Sequence, residues 1–199
     1  MRRCQPEKMP GNKLDHQMSK EDSRGISKEL TVRFARVKLF LCDVDGILTD
    51  SSILIGMEHE VKRFHIRDGL GLVMLRDEGI KVGWVSKRQS IATTLRAKEL
   101  KIDYLEQNPG EKVPVVEALL ARTGFKWEET CYMGDDIVDL GVLKRAGLAA
   151  TVADALPEAK ALSHYITTAN GGRGAVREVV DLILKAQNRW QKLVDKHSA

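Results

Sequence analysis

The chain has 199 residues, 43% hydrophobic and 30% charged, a length sufficient for one domain with a packed interior. Its 32 basic and 28 acidic residues are interleaved to a net charge of +4 with no basic stripe threaded by aromatics, which argues against nucleic acid as a partner. No apolar run approaches the roughly 18 residues that cross a bilayer, so no membrane partner is expected, and three cysteines without metal-like spacing point to a reduced, cytoplasmic compartment.

Residues 1–30 mix Lys, Arg, Asp and Glu with few large apolar groups. They lack the central segment of a secretion signal and read as a disordered extension ahead of a domain over 31–186. Val37–Cys42 is an apolar, strand-like run that breaks into Asp43-Val44-Asp45-Gly46. Ser51–Ile55 and Glu60–Phe64 flank the short turn Gly56-Met57-Glu58-His59, a pattern that predicts a β-hairpin over 51–64.

From Asp68 onward, strands and helices alternate: helix 69–78, strand 81–86, helix 90–99, strand 102–105, helix 111–122, strand 129–133, helix 136–145, strand 148–152, a short helix from Pro157 and a strand near 164–167. Such alternation predicts an α/β fold in which helices cover both faces of a parallel sheet. Val176, Val179, Val180, Ile183, Leu184, Trp190, Leu193 and Val194 recur at helical spacing. They predict one amphipathic helix from Ala175 to about Lys196, and the tail over 175–199 is expected to contact a neighbouring subunit.

Two acidic clusters carry the chemistry. Asp43 and Asp45 close the first strand, where ligands bind in open α/β sheets. Carboxylates held so near each other call for a divalent cation or for a proton on one of them. Thr130–Met133 ends in Gly134-Asp135-Asp136 with Asp139 three residues on, repeating that logic. Asp136 fits a helix N-cap, but capping does not explain Asp135. Between the clusters, Ser86 ends a strand and is followed by Lys87 and Arg88, and Lys112 sits at a helix start, where a bound anion would rationalise it.

The order Asp43-x-Asp45, Ser86, Lys112, Asp135-Asp136 over residues 37–187 resembles the four motifs of the haloacid dehalogenase superfamily. Phe64–Gly71, Gly134–Asp136 and Gly171–Glu178 further resemble its small-cap branch that hydrolyses 3-deoxy-D-manno-octulosonate 8-phosphate, a precursor of the lipopolysaccharide inner core. The resemblance implies a three-layer Rossmannoid fold with a β-hairpin in place of a cap, a sugar phosphate substrate and a homotetramer. It implies Asp43 as nucleophile and Asp45 as general acid and base. Mg2+ would be held by the Asp43 and Asp135 carboxylates and the main-chain carbonyl of Asp45, and Ser86 and Lys112 would take the phosphate oxygens. Asp136 and Asp139 would stand behind these groups or cap the helix. Substrate contacts are implied at His65, Ile66, Arg67, Asp68, Gly69, Arg88, Arg96, Lys112 and Arg173.

Three positions depart from the family pattern: Lys87 stands where a glycine is usual, Val73 where an arginine is common, and the hairpin turn carries its own acidic groups. They bear on the sugar more than on the reaction. A phosphatase of nine-carbon ulosonate 9-phosphates (KDN or N-acylneuraminate type), a catalytically silent oligomerisation module and a receiver-type domain are the alternative readings.

Overall fold

In the computed structural model of the chain, residues 26–55, 60–108 and 110–198 are described. Six strands form one parallel sheet: β1 Leu39–Cys42, β2 Lys81–Ser86, β3 Tyr104–Gln107, β4 Thr130–Met133, β5 Leu148–Thr151 and β6 Tyr165–Ile166. Their order in space is β3-β2-β1-β4-β5-β6. β1 and β4 are buried throughout, as strands covered on both faces must be, and this is why they read as continuous apolar runs.

Helices α1 Lys28–Ala35, α2 Ile66–Asp77, α3 Ile91–Leu100 and α7 Ala175–Ala186 pack against one another, as do α4 Lys112–Thr123, α5 Leu140–Leu143 and α6 Pro157–Leu162. Right-handed crossovers place these two groups on opposite faces of the sheet. The α7 stripe of Val176, Val179, Val180, Ile183 and Leu184 is wholly buried against this core.

The expected three-layer α/β architecture is present, and several boundaries differ from the sequence reading. The tail is two helices, α7 and α8 Trp190–Ser198, rather than one. Asn188 adopts a left-handed φ of 56°, while the Arg189 and Asn188 amides donate to the Leu184 and Lys185 carbonyls, so the break is a Schellman turn. α8 folds back so that Leu193 is buried, and Trp190 lies under the cations of Arg177 and Lys185.

The helix expected over 136–145 is a 3-10 turn, Ile137–Asp139, running into the short α5. Among the described residues the hairpin segment shows one antiparallel bridge, Leu54 with Val61, and its turn lies outside them. Ser27 caps α1 by accepting from the Leu30 amide, so the ordered fold begins inside the span read as an extension; residues 1–25 lie outside the described residues.

Candidate active site

The chain runs outward from β1 to β3 and then returns to β4 on the other side of β1. The loops after β1 and β4 therefore diverge at the switch point of the sheet, where α/β folds form their ligand crevice. Cys42 pairs with Met133, and the Asp43 amide donates to the Met133 carbonyl at 2.9 Å, so the two acidic loops leave the sheet side by side.

Lys112, the first residue of α4, reaches into the gap with its ammonium 2.9 Å from Asp43 and 2.7 Å from Asp139. All three are buried. The anion that rationalises a lysine at this helix start is thus supplied by the chain itself. Asp139 is the hub: it also accepts from the Tyr132 hydroxyl at 2.5 Å and from the main-chain amides of Asp135 and Asp136. It locks the loop that presents Asp135, whereas Asp136 caps the 3-10 turn by accepting from Ile137.

Carboxylate oxygens of Asp43, Asp135 and Asp139 all lie within 4.8 Å of one another. Burial, followed by the neighbouring Asp43 and Asp139, pushes the Asp135 carboxyl up to about 8. Burial pushes Asp43 up to about 7 against the opposing pull of Lys112. Burial also works against the Lys112 charge, but the two carboxylates reverse it and hold its pKa above the ordinary lysine value. One ammonium does not balance three carboxylates, and Asp135 Oδ1 is buried with no hydrogen-bond partner. An oxygen donor set with that imbalance fits a hard divalent cation.

The chain matches the family described as haloacid dehalogenase-like hydrolase over residues 93–179. It is 39% identical to 3-deoxy-D-manno-octulosonate 8-phosphate phosphatase of Yersinia pestis over 167 residues, covering 83% of this chain and 89% of that one. The chain belongs to this phosphatase family of haloacid dehalogenase-like hydrolases. The structure of the Moraxella catarrhalis phosphatase, a complex with magnesium, phosphate and KDO, superposes with a TM-score of 0.83 at 39% identity, covering 85% and 98% of the two chains. A cobalt-bound Haemophilus influenzae phosphatase gives 0.77 at 36% identity, covering 79% and 93%. Membership makes the chain a phosphoric monoester hydrolase, and Asp43, Asp135 and Asp139 form an acidic cluster that could hold a metal ion. No described helix is long and apolar enough to cross a membrane.

The remaining residues expected from the phosphatase motifs divide into two groups. Ser86 ends β2 beside β1, its hydroxyl engaged with the amide and carbonyl of Arg88. Arg88 pairs with Glu60 at 2.7 Å and stands 4.0 Å from Asp45. Gly171 seats on the Gly46 carbonyl so closely that a Cβ would lie 1.8 Å from it, and the Gly172 amide donates to Ile47. The Gly171–Gly174 turn therefore lies on this chain's own loop after β1 and brings Arg173 to Asp50. Arg88, Gly171 and Arg173 thus lie along the loop after β1.

The others have their partners outside the three-carboxylate group. The Asp45 side chain lies outside the three-carboxylate group, which leaves its main-chain carbonyl as the atom for a metal role. Asp68 is buried and accepts from the Gly174 and Arg177 amides, capping α7 from α2 rather than pointing to solvent. Arg96 is largely buried, packed over Gly69 and paired with Glu99 at 2.7 Å. Ile66 and Arg67 are exposed at the start of α2, after His65 at its N-cap position.

Sequence reasoning missed Lys62 and Tyr132. Lys62 is buried with its ammonium 2.7 Å from Asp45. Its signal was the alternation in Glu60–Phe64, which puts Lys62 on the same side as Phe64, the ring stacked on Trp84. Tyr132 was hidden as an apolar strand residue.

Gly46 explains the glycine after Asp45. Its φ is +95°, and a Cβ there would lie 2.0 Å from Asp135 Oδ2. The Gly46→Ala variant is expected to displace Asp135, lowering turnover at least about tenfold and stability by about 1–3 kcal/mol. Steady-state kinetics with thermal melting checks this, and a wild-type rate would show that Asp135 is not needed where it stands.

Proposed function

We propose that the chain is a Mg2+-dependent phosphatase that hydrolyses 3-deoxy-D-manno-octulosonate 8-phosphate to the free sugar acid and phosphate. The observation that carries this reading is the convergence of Asp43, Asp135 and Asp139 around Lys112 at the switch point of the sheet, in a chain whose relatives carry that activity in their names.

Asp43 attacks phosphorus in line with the bond to the sugar oxygen, forming an aspartyl-phosphate as that bond breaks. Asp45 gives its proton to the departing oxygen and then takes one from the water that attacks the phosphoenzyme at phosphorus, which returns both carboxyl groups to their starting states. Lys112 and the Ser86 hydroxyl take non-bridging oxygens, where negative charge is held through each displacement. A bound Mg2+, held by Asp43, Asp135 and the Asp45 carbonyl, supplies neutralisation of the carboxylates and of the phosphate charge. Asp139 keeps Lys112 and the Asp135 loop in place. Arg88 and Arg173 are the cations at the rim that suit a sugar-acid carboxylate. His65, Gly69 and Arg96 complete the proposed substrate contacts.

Leu54, Ile55 and Val61 on the two bridged segments and Ile66 at the start of α2 are exposed, Ile55 to 90%. They support the proposed homotetramer, which would cover that apolar surface. The free, buried Cys42 and Cys131 accord with a cytoplasmic location.

Phosphate release from eight- and nine-carbon ulosonate phosphates, with Mg2+ and after chelation, tests the activity. Preference for the nine-carbon ester would overturn the choice of sugar, and undiminished turnover after chelation would overturn the metal. A second readout needs no substrate. Without metal, the folded chain keeps protons on Asp135 and Asp43, raised to about 8 and about 7, that the unfolded chain releases near the ordinary carboxylate value of 3.8. Metal-free protein should therefore lose stability as pH rises through that window. The melting temperature is expected to fall between pH 5 and pH 8, and Mg2+ to restore at least about 5 °C at pH 8 and little at pH 5. An equal effect at both pH values would contradict binding to these carboxylates.

A further inference from the structure

Lys62 lies on the returning arm of the hairpin, next to Val61, whose bridge to Leu54 is the described backbone pairing of that segment. Its ammonium is fully shielded from solvent. It donates to Asp45 Oδ2 at 3.0 Å and to the Thr93 hydroxyl of α3 at 3.3 Å, with Asp45 Oδ1 at an ion-pair distance of 2.7 Å and Glu60 at 3.8 Å. A buried ammonium costs several kcal/mol unless it is paired, and Asp45 is the carboxylate in contact with it. The dependence runs both ways. Among the described residues the Asp45 carboxylate has one other cation near it, Arg88, at 4.0 Å and itself drawn to Glu60 at 2.7 Å. The Asp45 carboxylate is thus paired with Lys62, whose ammonium also donates to Thr93 and which lies two residues from Phe64, the ring stacked on Trp84.

We propose that Lys62 is a positioning residue that fixes the Asp45 carboxyl group at the rim of the site, tying the placement of the proton donor to the hairpin and to α3. This rests on the reading of Asp45 as general acid. Loss of the ammonium leaves Asp45 free to turn, which harms the departure of a sugar alkoxide, since that oxygen needs a proton. It harms less the departure of p-nitrophenolate, which is stable as an anion.

The experiment measures kcat and KM of the Mg2+-loaded full chain for 3-deoxy-D-manno-octulosonate 8-phosphate and for p-nitrophenyl phosphate. In Lys62→Met the sugar-to-aryl ratio of kcat is expected to fall at least about tenfold, with the KM for the sugar ester changed by less than about threefold. In an Asp45→Asn background the same substitution should change that ratio by less than about threefold, because its effect passes through Asp45. Thr93→Val, which keeps the charge and removes one of its anchors, should shift the ratio in the same direction by a smaller factor, and it serves if Lys62→Met does not fold. Equal losses on both esters, no loss in either variant, or full additivity with Asp45→Asn would overturn the proposal. If Asp45→Asn leaves the ratio unchanged, the reading of Asp45 as proton donor falls instead.

Discussion

The Asp43→Asn variant is expected to lose at least about 10³-fold in kcat while keeping its fold, a loss equivalent to roughly 4 kcal/mol of barrier. Asparagine preserves the shape of the side chain but brings a poor nucleophile to phosphorus and a neutral oxygen to the cation. Stability should move the other way. Asp43 is held near 7 because burial disfavours its charged form more than Lys112 favours it, so at pH 8 its ionised carboxylate weakens the metal-free fold relative to the unfolded chain. Metal-free Asp43→Asn is therefore expected to melt at or above the wild-type temperature. Lys112 retains Asp139 as its partner at 2.7 Å, so the substitution leaves no stranded ammonium. Parallel kinetics and melting curves check both halves. Retained turnover would contradict the assignment of the nucleophile, and a large drop in melting temperature would show that Asp43 is structural.

Lys112→Met should damage both activity and stability. The ammonium is buried between Asp43 and Asp139, and Asp139 has no exposure at all. Removing the cation leaves buried carboxylates facing one another, and breaking such a pair costs about 3–5 kcal/mol. For a domain of this size that corresponds to a fall in melting temperature of roughly 10 °C. Turnover is expected to fall at least about 100-fold, since the same nitrogen stands beside Asp43, the proposed nucleophile. The double variant Lys112→Met/Asp139→Asn should recover part of the lost stability, because it also removes one of the carboxylates left without a cation. Additive losses would show that the two residues do not act as a pair.

The acidic rim of the sheet was legible because it interrupts hydrophobic patterning. Asp43 and Asp135 follow runs that are buried on both sides, and acidic residues at such breaks have few structural reasons to be there. Parallel pairing of β1 with β4 then brings the breaks together without further information. What escaped was encoded by contacts distant in sequence. Asp68 caps α7 from 106 residues away, a role that no local spacing announces. Lys62 resembles any lysine in a hairpin until Asp45 and Thr93 are placed around it. Asp139 was seen but its centrality was not, because its partners include a tyrosine on the preceding strand and a lysine 27 residues before it.

The tail shows a different failure. The apolar period continues across Asn188 into Trp190 and Leu193, so it describes one stripe, whereas a single left-handed residue reverses the chain and packs the second half beside the first. In the hairpin segment, alternating residues satisfied a strand pattern; among the described residues one backbone bridge joins its arms, and several of their apolar side chains are exposed.

The most direct test of the account is chemical trapping of the phosphoenzyme. The Mg2+-loaded chain is mixed with 3-deoxy-D-manno-octulosonate 8-phosphate, quenched in acid within a single turnover and reduced with borohydride, which converts an acyl phosphate to the alcohol. Peptide mass spectrometry should then find homoserine at position 43 and at no other aspartate, with none formed in Asp43→Asn. Phosphate release without modification at position 43, or with modification at Asp45, Asp135 or Asp139 instead, would contradict it.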